Sequence, residues 1–206
     1  MFSTIVMIKH KISISFFSFC SLLYTQHALA IDPDYINQIT CKNWRVQLKD
    51  PMAFPSFVNT APFKKEFKQT KNSDEDEGDY YSEIFKPRLP HKIFNSQILS
   101  VTSDAGYGGE WVSAGFSVEL KGNFQQTLNQ AKTHLNVSQW QTTTEQYEDE
   151  HGRRITQKVY YAIQPYIKAQ QARYVRLSQD SKTNVIEFGC RAIEGDIPMF
   201  INDMRN

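Results

Sequence analysis

Residues 111–135 decide the fold and read WVSAGFSVELKGNFQQTLNQAKTHL. The first half of this stretch alternates between apolar and polar side chains. A period of two residues is typical of a strand with one buried face. The two alternating sets are Val112, Ala114, Phe116, Val118 and Leu120 on one face, and Trp111, Ser113, Gly115, Ser117 and Glu119 on the other. We therefore expect a half-buried β-strand here.

The second half of the stretch changes to helical spacing. Asn123 is a good N-cap residue, and Gln126 stands three positions later in the capping-box place. The apolar residues that follow, Phe124, Leu128, Ala131 and Leu135, recur at intervals that put them on one helical face. The sequence predicts an amphipathic helix that begins at Asn123 and ends near Asn136.

The regions around this stretch have strand and hairpin character. A long polar hairpin is expected over residues 138–163, and a last hairpin joins 174–177 to 185–190. Short turns make antiparallel neighbours, and one amphipathic helix must bury its apolar face on the sheet. We expect an α+β fold, with a curved antiparallel β-sheet, one main amphipathic helix packed on it and one disulfide.

The first 30 residues have the order of a cleavable signal peptide. Basic residues from Lys9 to Lys11 precede 13 uncharged residues, 12–24, and Ala28 and Ala30 supply small residues at the exit. A bilayer span needs about 20 apolar residues, which disfavours a membrane anchor. We expect cleavage near Ala30, export to the periplasm or the medium, and a mature chain without a transmembrane segment. Residues 31–206 would then be a single domain, with a mobile acidic loop at 71–79 (KNSDEDEGD).

Processing also simplifies the cysteines and the charge. Cys20 leaves with the signal, so Cys41 and Cys190 remain, and an even pair outside the cytosol predicts a disulfide between them. Removal of Lys9 and Lys11 changes 23 basic against 22 acidic residues into 21 against 22, a net charge of −1. Binding to nucleic acid depends on Lys and Arg that neutralise phosphates, so we expect no nucleic-acid partner.

Catalytic and metal motifs are not recognisable in the sequence. His91, His134 and His151 have no second His or Cys at metal-ligand spacing, so we expect no metal and no cofactor. No nucleophile motif stands in a helpful context, and no residue is assigned a catalytic role. Glu83, Glu110 and Glu119 are the carboxylates from which a hydrolase of the Asp/Glu type would be built, if the fold brought two of them together.

Aromatic residues on polar faces are the most unusual feature. Trp111, Trp140, Tyr81 and Tyr160 are the candidate binding residues, because such aromatics are typical of contact surfaces. We expect a non-enzymatic binding or interaction protein of the cell envelope, with a protein or glycan partner. Two alternatives stay open: a small envelope hydrolase, and a carrier of a lipid or other apolar ligand in a cavity beneath Phe124, Leu128 and Leu135.

Overall fold

The computed structural model describes residues 37, 39–41, 58–60, 63–71, 80–135, 137, 139–148, 152–165 and 170–203. The expected signal peptide, 1–30, and residues 72–79 of the expected acidic loop lie outside the described residues, as does His151. The loop was predicted to begin at residue 71, but Lys71 is the last residue of a strand and pairs with Ile84. Pairing with a neighbouring strand therefore extends the sheet one residue into the charged segment.

The elements whose bounds the structure describes are nine strands, one short 3-10 helix at Phe63–Lys65 and two α-helices. The strands are β1 (Phe67–Lys71), β2 (Tyr80–Pro87), β3 (Lys92–Ile93), β4 (Ser96–Tyr107), β5 (Trp111–Lys121), β6 (Gln141–Glu148), β7 (Arg154–Pro165), β8 (Gln171–Gln179) and β9 (Ile186–Gly195). The helices are α1 (Phe124–Leu135) and α2 (Ile197–Asp203). Every strand pair is antiparallel, in the order β1-β2-β4-β5-β9-β8-β7-β6, with β3 paired to β4.

The apolar side of β5 forms the centre of the core, as its alternation predicts. Phe116, Val118 and Leu120 are buried, and the register places Phe116 opposite Cys190 and Val118 opposite Phe188 on β9. Both expected hairpins are present as β6–β7 and β8–β9. The sequence pattern therefore correctly predicted the curved antiparallel sheet and the face on which its core lies.

Helix α1 lies on this apolar face. Its N-terminus is capped by Asn123, whose Oδ1 accepts a hydrogen bond from the Gln126 backbone N–H at 2.9 Å. Leu128, Ala131 and Leu135 are buried in the same core cluster as the sheet residues. Because α1 connects the central strand β5 to the edge strand β6, the connection crosses this face and leaves the other face of the sheet to be covered differently.

The second helix covers one end of that other face. Phe200 of α2 is buried against Tyr161, Tyr174 and Ile193, and Trp111 packs at the side of this cluster. The prediction of one main helix did not include α2, because the tail after Glu194 has no clear period over its full length. The apolar residues of α2 extend over less than two helical turns.

The predicted disulfide is present between Cys41 and Cys190, with a Cα–Cα distance of 5.9 Å. Both cysteines are fully buried, and the guanidinium of Arg173 donates a hydrogen bond to the carbonyl oxygen of Cys41. The bond therefore ties a residue near the start of the domain to the centre of the sheet. In the part of the chain that the structure describes, neither helix has the length and apolar character that crossing a bilayer requires.

Candidate functional site

The face of the sheet opposite α1 is concave and contains a groove of about 620 Å³. Its lining comes from six strands, β4 to β9, and from the turn between β8 and β9. We call it the polar groove, and its lining residues are Thr102, Ser117, Glu119, Glu145, Tyr147, Gln157, Arg176, Ser178, Asp180, Thr183, Val185 and Glu187. In a flat sheet β4 and β6 would be about 24 Å apart, since neighbouring strands are spaced by about 4.8 Å. Only a strongly curved sheet brings both strands to one groove.

Arg176 lies at the centre of the polar groove and holds two carboxylates. Its Nη1 donates to Oε2 of Glu187 on β9 at 3.0 Å, and its Nη2 donates to Oε2 of Glu145 on β6 at 2.5 Å. Burial lowers the pKa of Arg176, but the charges of Glu187 and Glu145 and the hydrogen bond to Glu145 outweigh it, so the pKa lies above its ordinary value. The guanidinium is a fixed positive charge that links three strands.

A third glutamate, Glu119, stands directly opposite Glu187 across the β5–β9 pair. Its Oε2 accepts a hydrogen bond from the buried hydroxyl of Ser100 at 2.7 Å. Like charges directly opposite each other on neighbouring strands are destabilising. Of these two opposed carboxylates, only Glu187 has a cationic partner among the groove residues.

The turn between β8 and β9 closes one end of the groove and depends on Asp180. Its Oδ1 accepts hydrogen bonds from the backbone N–H groups of Lys182 at 2.6 Å and Thr183 at 3.0 Å. The backbone hydrogen bond from Thr183, followed by that from Lys182, lowers the pKa of Asp180. Asp180 thus adds a fourth negative charge to the lining while it shapes the turn.

The four aromatic residues chosen from the sequence do not form one surface. Trp140 and Tyr160 lie together beside α1, where the Nζ of Lys132 is 6.0 Å from the Trp140 ring centroid and 5.6 Å from that of Tyr160. Tyr81 lies on β2, in register with Ala105, at the other end of the sheet order.

Trp111 lies on the face of the sheet opposite α1, at the end that α2 covers. Its ring packs edge-on against Phe200 with centroids 5.0 Å apart, and its Nε1 donates to Asp203 at 2.9 Å. Of the four candidate binding residues, the structure therefore brings only Trp140 and Tyr160 together.

The carboxylates proposed for a hydrolase are also separated. Glu119 lies in the polar groove, but Glu110 is in the turn before β5. Glu83 faces the other side of the sheet, where it accepts a hydrogen bond from Gln69 at 3.3 Å. The glutamates that do accompany Glu119 in the groove are Glu145 and Glu187.

The alternation of side chains along the strands is a partial signal for the groove residues that the sequence analysis missed. Ile186, Phe188 and Cys190 share the core face, so the intervening Glu187 must point to the other face. The same alternation places Arg176 between Val175 and Leu177. Alternation assigns residues to a face but does not say which face is concave, so these residues could not be recognised as a site.

The residues considered for an apolar carrier lie in the core between α1 and the sheet. Leu128 and Leu135 are 2% and 5% exposed and belong to one cluster with Phe116, Val118 and Phe188, while Phe124 packs at its edge. The polar groove is a concave site lined by described residues. Comparison with known proteins finds no matching family model, no matching curated protein and no matching solved structure.

Proposed function

We propose that the protein is an exported, non-enzymatic binding protein that holds a polar ligand in the polar groove. The observation that carries the proposal is the cross-strand pair of Glu119 and Glu187 in a concave site of about 620 Å³. Sites for small ligands occupy about 300–1,000 Å³, and like charges on opposed strand positions cost stability. A ligand that binds to both carboxylates would explain why two like charges stand opposite each other.

Export is supported by the disulfide. The bond between Cys41 and Cys190 suits an oxidising compartment, because cytosolic thiols are kept reduced. Together with the signal-like first 30 residues, the disulfide supports a place in the envelope or outside the cell. A ligand of the polar groove would then be a molecule of that compartment.

Binding is favoured over catalysis by the way the carboxylates are held. Glu145 and Glu187 both accept hydrogen bonds from Arg176, and Glu119 accepts one from Ser100. Hydrolysis by a carboxylate pair needs one carboxylic acid that is free to donate its proton. Carboxylates held by these hydrogen bonds stay ionised, and their remaining lone pairs can accept hydrogen bonds from hydroxyl or amine groups of a ligand.

A hydrolase is the second candidate, and one observation favours it. Residues directly opposite on antiparallel strands have Cβ atoms about 4.5–5.5 Å apart. The flexible side chains of Glu119 and Glu187 can therefore bring their carboxyl groups to the separation of a glycosidase pair, about 5–9 Å. Hydrolysis of chromogenic glycosides that is lost in both Glu119→Gln and Glu187→Gln would favour this candidate over binding alone.

A blocking substitution tests the binding proposal. Ser117 lies half-buried on β5 in the groove lining, and Ser117→Phe would place an aromatic ring in the groove. Gln125→Phe adds the same ring at an exposed position of α1 and is the matched control. On an array of oligosaccharides we expect the native protein and Gln125→Phe to bind the same members and Ser117→Phe to lose them. Binding that persists in a folded Ser117→Phe protein would refute the groove as the site.

A further inference from the structure

We infer that the ligand of the polar groove is a short oligosaccharide that carries a free, protonated amine. This inference rests on the proposed function and adds the chemical class of the ligand. The lining has four carboxylates and one guanidinium, a formal charge of −3. Arg176 is already engaged by Glu145 and Glu187, which leaves Glu119 and Asp180 as the carboxylates without a cationic partner among the groove residues.

The position of the excess charge favours a cation on the ligand. Glu119 is exposed in the groove and faces Glu187, whose side chain is 43% exposed. A protonated amine placed between these two carboxylates would remove their repulsion and form charge-assisted hydrogen bonds to both. A neutral or anionic ligand would leave that repulsion in place.

Polar groups next to the carboxylates favour a hydroxylated ligand. Ser178 is 1% exposed, and its Oγ has no hydrogen-bond partner among the described residues, although it lies in the lining of the groove. Nε of Arg176 is also buried and has no hydrogen-bond partner within the part of the chain that the structure describes. Buried polar atoms are normally paired, so both atoms indicate that a hydrogen-bonding molecule completes the site. Hydroxyls both donate and accept, as the side chains of Thr102 and Ser117 do.

The remaining lining argues against other cations. Val185 and the Tyr147 ring are its main apolar elements, so the apolar side chains of a basic peptide would have few contacts. Among the described residues no group of three or more His, Cys, Asp or Glu is placed to hold a metal ion. A simple polyamine would pair with the carboxylates but would offer no hydroxyls to the hydroxyl and amide side chains of the lining. An amino sugar has an amine for the carboxylates and hydroxyls for these side chains.

The test compares two forms of one sugar, in which the amines are either free and protonated or acetylated and neutral. Titration calorimetry of the whole mature protein would use the β-1,4-linked dimer of glucosamine and the same dimer with both amines acetylated, at mildly acidic pH. We expect the free-amine dimer to bind at least about tenfold more tightly, and its affinity to fall as salt rises from about 20 to about 200 mM. Glu119→Gln should reduce this affinity about tenfold and leave the acetylated dimer unaffected.

The control variant is Glu110→Gln, which removes the same charge from an exposed turn outside the groove and should bind like the native protein. If both dimers bind equally tightly and Ser117→Phe loses this binding, the ligand need not be a cation, and the groove remains the binding site. If spermidine binds as tightly as the amino sugar, the inference that the ligand is a sugar is wrong. If neither dimer binds the native protein at millimolar concentration, the inference is wrong.

Discussion

The guanidinium of Arg191 on β9 passes over strand β5 and forms an ion pair with the carboxylate of Asp104 on β4. Both guanidinium Nη atoms take part, and Nη2 lies 3.0 Å from Oδ2 of Asp104. The residue between them in the register is Gly115. Burial raises the pKa of Asp104, and the charge and hydrogen bonds of Arg191 act in the opposite direction. A glycine at position 115 gives the long side chain a path across the sheet.

Gly115→Ala should therefore destabilise the protein. A Cβ at this position would collide with the carbonyl oxygen of Cys190 and lie 2.7 Å from Cα of Arg191, so the β5–β9 pair would have to shift. We expect the free energy of unfolding to fall by about 1–3 kcal/mol in urea denaturation. Gly189→Ala is the matched control, because its Cβ would have its nearest contact at 3.7 Å, with Cβ of Arg176. Equal effects of the two substitutions would contradict this explanation.

Arg176 should contribute to stability through the buried carboxylate of Glu145. Both side chains are 13% exposed, so Arg176→Met would leave Glu145 without its partner. We expect a loss of about 3 kcal/mol, at the low end for a broken buried ion pair, because Glu187 is partly solvated. Adding Glu145→Leu to Arg176→Met should recover much of this loss, as measured by thermal unfolding. A double variant less stable than Arg176→Met would show that the carboxylate is not the source of the cost.

The sequence predicted most of the sheet because its strands have one clearly apolar face. In β5, and in β9 from Ile186 to Ala192, the alternation is continuous, and a shift by one residue would expose the whole core face to water. The disulfide was predicted because Cys41 and Cys190 are the two cysteines that would remain after the expected cleavage. These features depend on local pattern and on simple counting, which a single sequence contains.

The polar groove depends on the curvature of the sheet, and α2 depends on contacts with residues far away in the sequence. The apolar–polar pattern indicates neither. In α2, Ile197, Phe200 and Ile201 have helical spacing, but seven residues are too few to indicate a helix against an irregular tail. Trp111 was interpreted as exposed because its neighbours on the same strand face are small and polar. The residue that covers it, Phe200, is far away in the sequence.

His91 should make stability depend on pH. It is 4% exposed and stacks on Phe67, and its Nε2 has no hydrogen-bond partner among the described residues. Burial lowers the pKa of His91 from its ordinary value of 6.5, and the charge of Glu66 only partly opposes this. Between the folded pKa and 6.5 the unfolded chain binds more protons, so the free energy of unfolding falls as the pH falls through this window.

Urea denaturation at several values between about pH 8 and about pH 5 would measure this dependence. His91→Phe keeps an aromatic ring beside Phe67 and removes the titrating group. The variant should lose less stability on acidification than the native protein. Parallel curves for the two proteins would show that His91 does not contribute.

The last prediction concerns Trp111 and separates packing from binding. The indole packs on Phe200 of α2 and donates to Asp203, so it fixes the helix on the sheet. Trp111→Ala should lower the free energy of unfolding by about 2–3 kcal/mol, less than for a fully buried tryptophan, because the side chain is half-buried. Trp111→Phe keeps a ring against Phe200 but removes the hydrogen-bond donor, and should cost about 1 kcal/mol. If Trp111→Ala instead unfolds like the native protein but loses ligand binding, Trp111 is a contact residue for the partner, since an interface anchor contributes to binding and not to the stability of the free chain.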